Sequence, residues 1–257
     1  MNQSERRGYL IRELLKEDAR YRKLTVPEGE REQRDLLRAL MNVRPPRPVA
    51  REVLAVQDEY LREAAAARGV TRLEDLQPVA GDLYLWQGDI TTLACGAIVN
   101  AANSGMLGCF RPLHNCIDNC IHTYAGMQLR LKCAELMAAQ GCEEPTGRAK
   151  LTPAYNLPSK YVIHTVGPIV DGPLTEAHCR LLEACYRACL ETAAENNCGS
   201  IAFCCISTGV FGFPKREAAE IAVGTVRAWK AETGSPLKVI FNVFGDEDLA
   251  IYRSVLG

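Results

Sequence analysis

Apolar positions along the chain change their spacing near residue 80, and this change divides the sequence into two regions. Before it, apolar residues recur every three or four positions, as in amphipathic helices. This spacing predicts helices over Glu5–Asp18, Arg31–Val43 and Val49–Ala67, and a short helical turn or loop over Thr71–Leu76. Residues 1–80 are therefore predicted to form a charged helical extension. It would serve either as a cap packed on the rest of the chain or as a module that docks a partner.

Short apolar runs alternate with longer helical stretches over residues 81–257. The runs predict strands at Leu83–Trp86, Ala97–Asn100, Lys150–Tyr155, Tyr161–Val166, Ile201–Ile206 and Leu237–Val243. The stretches between them predict helices over Cys116–Gln140, Thr175–Asn197, Pro214–Glu232 and Asp246–Leu256. Strands that alternate with helices of this length indicate an α/β domain of three layers.

Composition narrows the class of function. The chain has 257 residues, of which 47% are hydrophobic, and a formal net charge of -1. It therefore has no basic excess for a nucleic-acid scaffold, and an acidic ligand would have to be met locally by backbone donors or a metal. No apolar run approaches the ~20 residues of a membrane span, and the N-terminus lacks the apolar segment of a signal peptide. We expect a cytoplasmic protein without a membrane partner, whose twelve cysteines are mostly thiols.

Two loops that each follow a predicted strand carry residues suited to a nucleotide ligand, because ligands of α/β sheets gather at the carboxyl ends of strands. Asp89, followed by Ile90, could accept a hydrogen bond from an exocyclic amine such as that of adenine, or could cap a turn. The stretch Asn100–Asn103 brings amide donors and acceptors that suit ribose hydroxyls, although asparagines also stabilise turns. Ala101 and Ala102 are small enough to let a ligand approach the backbone.

A third loop precedes a predicted helix and is rich in glycine. It consists of Ser207, Thr208, Gly209, Val210, Phe211 and Gly212. Backbone N–H groups that converge before a helix N-terminus form a phosphate-binding loop. The loop lacks the lysine of a Walker motif, so hydrolysis of nucleoside triphosphates is not indicated.

A possible metal site lies between these loops, at Cys109, His114 and Cys116. Thiolate and imidazole are preferred zinc ligands, and this spacing allows three of them to converge on one ion. The spacing alone also fits two buried thiols and a loop histidine. Three ligands would leave one position for water or substrate, whereas a closed site would need a fourth from Cys120, Asp118 or His122.

Four motifs, GDIT, AIVNAANS, IDNCIHTYAG and STGVFGFP, resemble in sequence and order those of the macrodomain family, whose members bind ADP-ribose. The resemblance covers about residues 83–257 and is strongest to the microbial zinc-containing subgroup. In relatives of the MacroD type a run of glycines follows the NAAN motif. Here Leu107–Cys116 replaces that run and would place the metal triplet at the distal ribose. The resemblance implies a three-layer α/β/α macrodomain with a mixed central sheet over residues 81–257, preceded by the helical extension.

The resemblance also implies roles for individual residues. It places Asp89 and Ile90 at adenine, and Ala101, Ala102 and Asn103 near the ligand, with Asn103 on the distal ribose. It places the loop Ser207–Gly212 around the diphosphate and either Asn242 or Phe244 beside adenosine. Catalytic roles would fall to Asn103 and to Asp118, which matches the helix acid of the MacroD relatives. One Zn²⁺ per chain would be held by Cys109, His114 and Cys116.

The activity implied by the resemblance is removal of mono-ADP-ribose from modified protein side chains, through an oxygen linkage to an acidic residue. The subgroup further implies a lipoylated carrier protein as the modified substrate and a sirtuin-type modifying enzyme. Two alternatives remain open for the same pocket. One is a non-catalytic protein that binds ADP-ribose, and the other is a hydrolase of free O-acetyl-ADP-ribose.

Overall fold

Three helices open the chain and share a core of their own. The computed structural model describes residues 1–257, and these helices are α1 (Gln3–Glu17), α2 (Glu30–Val43) and α3 (Arg51–Arg68). Asn2 and Glu5 form a reciprocal capping box at the start of α1. The helices bury a cluster of 11 apolar residues, one of which, Met127, comes from the rest of the chain. The predicted extension is therefore helical, and its core is a separate cluster to which the following unit contributes Met127.

Seven strands form a mixed sheet that confirms the predicted fold class. The chain has nine strands in all, which in order are β1 (Thr71–Arg72), β2 (Pro78–Ala80), β3 (Leu83–Gln87), β4 (Leu93–Ala94), β5 (Ala97–Ala102), β6 (Ala149–Pro153), β7 (Tyr161–Val166), β8 (Ser200–Phe203) and β9 (Lys238–Val243). The main sheet has the order β2-β3-β9-β8-β5-β7-β6, and β1 pairs with β4 separately. The five central strands are parallel, whereas the edge strands β2 and β6 are antiparallel to their neighbours.

The sequence pattern did not predict β1, β2 and β4, because two or three residues are too few to show a period. The main sheet consequently begins at Pro78, ahead of the boundary predicted at residue 81.

Five helices flank this sheet: α4 (Ile117–Ala125), α5 (Met127–Gln140), α6 (Glu176–Glu195), α7 (Lys215–Thr233) and α8 (Asp246–Leu256). Helices α6, α7 and α8 pack side by side, while α4 packs on β5 and receives α2 and α3. Thr175 caps α6 and Gly141 ends α5 in the left-handed conformation, both as predicted. None of the helices combines the length and the apolar character that crossing a bilayer requires.

The single helix predicted over Cys116–Gln140 is wrong, because the chain breaks at Gly126 into α4 and α5. Gly126 has a φ of 100°, and a Cβ there would lie 2.7 Å from the side-chain amide of Gln57. Gln57 belongs to α3 and accepts a hydrogen bond of 2.9 Å from the N–H of Met127, the first residue of α5. The extension therefore stabilises the break. The four-residue apolar spacing continues through it because both helices pack on one core.

Candidate active site

The three predicted ligand loops lie at one edge of the sheet. Asp89 follows β3, Asn103 follows β5 and Ser207 follows β8. These strands belong to the parallel part of the sheet, so their carboxyl ends face the same side. The topology thus brings together residues that are far apart in sequence.

The end of β9 supports the first loop and leaves an aromatic ring at the surface. The side-chain amide of Asn242 is buried and donates a hydrogen bond of 2.9 Å to the carbonyl of Gly88. Phe244, two residues later, is 79% exposed. Of the two residues predicted beside adenosine, Asn242 is held by the protein, and Phe244 is the one available to stack on a ligand.

The Asp89 carboxylate is shared between its own turn and the helical extension. Oδ1 accepts hydrogen bonds from the N–H and hydroxyl of Thr91, at 2.9 and 2.6 Å. Oδ2 accepts a hydrogen bond of 2.8 Å from the guanidinium of Arg68, in the last turn of α3. That guanidinium lies 3.7 Å from the centre of the Tyr124 ring. Asp89 is thus both the cap considered from sequence and an exposed acceptor oriented by Arg68.

Three other residues predicted near the ligand differ in accessibility. Ile90 and Ala102 are buried in the core, so only their backbones can face a ligand, whereas Ala101 is half-buried.

Both asparagines of the NAAN motif bind one buried carboxylate. Asn100 donates a hydrogen bond of 2.8 Å to Asp118 Oδ1, and Asn103 donates one of 3.3 Å to Oδ2. The amide of Asn103 also lies 3.3 Å from the carbonyl of Gly108, which it approaches as a donor. The Nδ2 group of Asn103 is therefore occupied, and its Oδ1 has no partner in the protein.

Burial raises the pKa of Asp118 to about 6, although the Asn100 hydrogen bond and the charge of Arg130 partly oppose this shift. The residue is only 5% exposed, so its carboxylate is shielded from solvent by the amides that bind it. This arrangement suits a group that orients Asn103.

The predicted metal triplet converges in the loop before α4. The ligand atoms of Cys109, His114 and Cys116 lie within 4.8 Å of one another, with 3.6 Å between Cys109 Sγ and His114 Nδ1. Tetrahedral zinc with bonds of 2.0–2.3 Å separates its ligand atoms by roughly 3.3–3.8 Å. The three side chains therefore fit one zinc ion after small adjustments.

Electrostatics of the triplet also fit a bound cation. The pKa of Cys116 is raised to about 12, mainly by burial and also by the nearby Cys109 and Asp118, against a hydrogen bond from the N–H of Asn119. Two adjacent thiolates are thus unfavourable unless a cation binds them. Cys116 caps α4, so its sulfur faces the positive end of the helix, which favours a thiolate.

None of the three residues considered as a fourth ligand joins the triplet. The Cys120 sulfur lies 3.8 Å from the guanidinium of Arg38, and the Asp118 carboxylate is held by two amides. His122 belongs to another buried group, with Cys133 and His164. The protein therefore offers three ligands at this site.

The buried group is bound within the core through His164, whereas neither ring nitrogen of His122 has a hydrogen-bond partner. His164 approaches Asn100 Nδ2 at 3.1 Å through Nδ1 and the Thr152 hydroxyl at 2.9 Å through Nε2. An amide donor at Nδ1 places the histidine proton on Nε2, so both ring nitrogens already have partners within the protein. The His122 ring packs against Gly108, where a Cβ would lie 2.7 Å away. His164 therefore contacts the NAAN motif, and His122 contacts the loop Leu107–Cys116.

The glycine-containing loop after β8 presents free backbone donors. The N–H groups of Gly212 and Phe213 bond within the loop, at 3.1 and 3.0 Å, whereas those of Gly209, Val210 and Phe211 have no partner in the protein. Ser207 has a φ of 65° and a buried hydroxyl without a partner. Three consecutive free N–H groups in a loop that precedes a helix are suited to a diphosphate.

Comparisons with known proteins identify the family. The family model described as "Macro domain" matches residues 99–222. A protein-ADP-ribose hydrolase of Treponema medium is 58% identical over 260 residues, which cover 100% of both chains. A protein-ADP-ribose hydrolase of Staphylococcus aureus strain MRSA252 is 52% identical over 95% of this chain and 92% of its own. The chain belongs to the macrodomain family.

Solved structures of other macrodomains have the same fold. The Trypanosoma brucei macrodomain in complex with ADP-ribose is 30% identical, with a TM-score of 0.67, over 85% of this chain and 95% of that one. The Oceanobacillus iheyensis macrodomain with ADP is 36% identical, with a TM-score of 0.63, over 70% of this chain and 93% of that one. Two macrodomains that share this fold thus carry ADP-ribose or ADP in their structures.

Sequence reasoning missed two arginines at the site of this macrodomain and the role of Asn100, which it grouped with Asn103 as suited to ribose hydroxyls. Arg68 binds Asp89 from the extension, Arg130 binds the loop that carries the metal triplet, and Asn100 binds Asp118. The NAAN motif contained a signal for Asn100, because its two asparagines lie three residues apart at the end of one strand. The two arginines reach the site only through tertiary packing.

Proposed function

We propose that this macrodomain is a zinc-dependent hydrolase that removes mono-ADP-ribose from acidic side chains of modified proteins. The observation that carries the proposal is the contact between Asn103 and the metal loop, through the carbonyl of Gly108. It joins a ribose-binding amide, a buried carboxylate and the triplet of metal ligands at the end of β5. Relatives named protein-ADP-ribose hydrolases, at 52–58% identity over nearly the whole chain, support the reaction class.

Binding energy in this proposal comes from groups away from the bond that is cleaved. Asp89 would accept a hydrogen bond from the adenine amine, and Phe244 would cover the base. The free N–H groups of Gly209, Val210 and Phe211 would donate to the diphosphate. Interactions with these remote parts fix the position of the distal ribose. The reacting carbon therefore loses its translational and rotational freedom when the ligand binds rather than during the reaction.

Asn103 and Asp118 would act as an oriented pair. Asp118 accepts from Nδ2 of Asn103, which leaves Oδ1 of Asn103 to accept a hydrogen bond from a ribose hydroxyl. Because Asp118 is buried and already binds two amides, its proposed task is to orient Asn103.

Cys109, His114 and Cys116 would hold zinc beside the distal ribose. When bound, zinc would supply a Lewis acid that can polarise a substrate oxygen or lower the pKa of water towards ~7. Two thiolates would make the ligand set electron-rich and so reduce the Lewis acidity of the bound ion. Direct contact with a ribose hydroxyl or the scissile group is then as favourable a role for the ion as activation of water. The proposed protein substrate is mono-ADP-ribosylated, and the family resemblance adds a lipoylated carrier protein as its proposed identity.

The function is tested by incubating the zinc-loaded protein with a carrier protein that bears mono-ADP-ribose on a glutamate. We expect release of ADP-ribose, a loss of about 100-fold or more with Cys109→Ala or His114→Ala, and loss of activity after chelation. Cys142→Ala is the matched control, since Cys142 is an exposed thiol that lies two residues after α5 and outside the triplet.

Each alternative gives a different result in the same assay. A non-catalytic binding protein would bind ADP-ribose and release none. A hydrolase of free O-acetyl-ADP-ribose would cleave that compound and leave the modified protein intact. Full activity of metal-free protein on the modified carrier would contradict the proposed zinc dependence.

A further inference from the structure

The loop that carries the metal triplet is bound by side chains of the helical extension. Residues 107–116 form no helix or strand. Arg38 of α2 donates a hydrogen bond of 2.7 Å to the carbonyl of His114, a proposed zinc ligand. Asn42, one turn later on α2, accepts a hydrogen bond of 3.0 Å from the N–H of Leu113. Two polar residues on one face of α2 therefore hold consecutive residues of the loop.

Leu113 needs such support because its backbone is strained. Its φ of 56° lies in the left-handed region, where a non-glycine residue costs roughly 1–2 kcal/mol. A strained position persists only where its surroundings determine it. The bond from Asn42 is made at that residue, immediately before the ligand His114.

Helix α4 links the extension to the other side of the loop. Asn119 accepts a hydrogen bond of 3.1 Å from Arg38 and donates to the carbonyls of Cys109 and Arg111, at 3.2 and 3.0 Å. Asn42 also donates a hydrogen bond of 2.9 Å to Thr123 of α4. The network therefore reaches the backbone of two proposed ligands, Cys109 and His114. Arg38 and Asn42 of α2 both take part in it.

Arg130 joins the end of α2 to the start of the loop. Its guanidinium donates to the carbonyls of Asn42 and Arg44, at 2.7 and 2.6 Å, and to that of Leu107, at 2.8 Å. It also lies 4.2 Å from the centre of the Phe110 ring. The carbonyls at the end of α2 lack helical partners and accept instead from the buried Arg130 guanidinium, which also binds the loop.

We infer that α2 is part of the metal site, with Arg38 and Asn42 as positioning residues that hold the loop in the geometry that binds zinc. The inference rests on the proposed function, because it assumes zinc on the triplet. Partners that orient metal ligands typically change metal affinity by 10- to 100-fold when they are removed. Linkage makes the effect reciprocal, so zinc should stabilise the docking of α2 as much as α2 strengthens zinc binding.

Zinc affinity of full-length variants, measured by competition with a chromophoric chelator, tests the inference. Arg38→Met and Asn42→Ala should each weaken zinc binding by roughly 10- to 100-fold. Their affinity for ADP should stay within about threefold of the original, because ADP lacks the distal ribose beside the metal loop. Arg34→Met is the matched control, since Arg34 lies one turn earlier on α2 and pairs only with Glu30 at the surface. It should bind zinc like the original protein.

Zinc affinities of both variants equal to the original would overturn the inference while leaving the metal site intact. Failure of the original protein to bind zinc would overturn the proposed function and this inference with it. Hydrogen exchange on the original protein covers the case in which a variant does not fold. Zinc should slow exchange in residues 30–43 as well as in residues 107–116. Slowing confined to the loop would contradict the coupling.

Discussion

Gly167 determines where the proposed diphosphate loop lies, and its replacement by alanine should displace that loop. Gly167 directly follows β7. A Cβ at this position would lie 2.1 Å from Ser207 Oγ and 2.9 Å from Ile206 Cγ2. Ser207 is buried with a φ of 65°, so it has little room to move without its neighbours. Rotation of the Ser207 side chain would move Oγ, but Ile206 Cγ2 and Ser207 Cβ, at 2.9 and 3.4 Å, would still crowd the new methyl group. We therefore expect the loop after β8 to shift away from the sheet.

The expected magnitude follows from these distances. An ordinary carbon–oxygen contact is roughly 3.3 Å, so the overlap is about 1 Å, and overpacking of this kind costs about 1–3 kcal/mol. In a chain of this size that cost lowers the midpoint of thermal unfolding by roughly 2–10 °C. A hydrogen bond from the loop to the charged diphosphate is worth about 1.5–3 kcal/mol, so the loss of one such bond would weaken ADP-ribose binding by about tenfold or more.

Calorimetric titration with ADP-ribose, together with thermal unfolding, measures both effects. Ser207→Gly in the Gly167→Ala background should recover part of the stability, because it removes the clashing hydroxyl and the strain at a positive φ. Gly172→Ala is the control, since a Cβ there meets no atom within 4 Å. A Gly167→Ala protein with unchanged affinity and unchanged midpoint would refute the account of this loop.

Three further predictions concern the amide pair, the buried histidine and the extension. Asp118→Asn should reduce turnover by about tenfold or more, with unchanged ADP affinity. Asn100 and Asn103 both donate to this side chain, so the new NH2 group must oppose one of the two donors and disturb the orientation of Asn103. An unchanged rate would contradict that role. Burial lowers the pKa of His164 to about 3, so its contribution to stability is full above its ordinary pKa of about 6.5 and is lost as the pH falls towards 3. Denaturant unfolding should show that the free energy of unfolding of His164→Gln depends less on pH between 6.5 and 4 than that of the original protein. Equal dependence in the two proteins would refute the assignment of this effect to His164. Arg68→Met should weaken ADP-ribose binding by up to about fivefold, since Asp89 loses a partly exposed partner worth at most ~1 kcal/mol. Tighter binding in calorimetry would instead mean that Arg68 competes with adenine for the carboxylate.

The predicted strands and helices of the main unit largely match the structure because burial there produces clear local patterns. The run Ala97–Asn100 is buried throughout and belongs to an interior strand of the sheet. Thr175 and Gly141 are capping residues whose chemistry is local. Convergence of Cys109, His114 and Cys116 was also predictable, because they lie within eight positions of one another in a single loop.

The remainder depended on contacts between distant parts of the chain. The helix break at Gly126 is stabilised by Gln57, which lies 70 positions away from its partner Met127. Arg38 reaches the carbonyl of His114 across 76 positions, and Arg68 reaches Asp89 across 21. Each of these polar residues lies on a helix of the extension. Arg38 and Arg68 have the spacing of ordinary solvent-facing side chains, whereas Gln57 lies on the buried face of α3, where sequence alone does not name its partner. Local pattern therefore predicted the extension as helical and gave no sign that it binds the site.

Zinc dependence is best measured by titrating zinc into metal-free protein while ADP-ribose release from a modified carrier protein is followed. Activity should rise in proportion to added zinc and stop rising at about one equivalent per chain, as expected for one ion on one set of ligands. The His114→Ala protein should show no such rise. Full activity before any zinc is added, or an equal response from His114→Ala, would contradict zinc dependence.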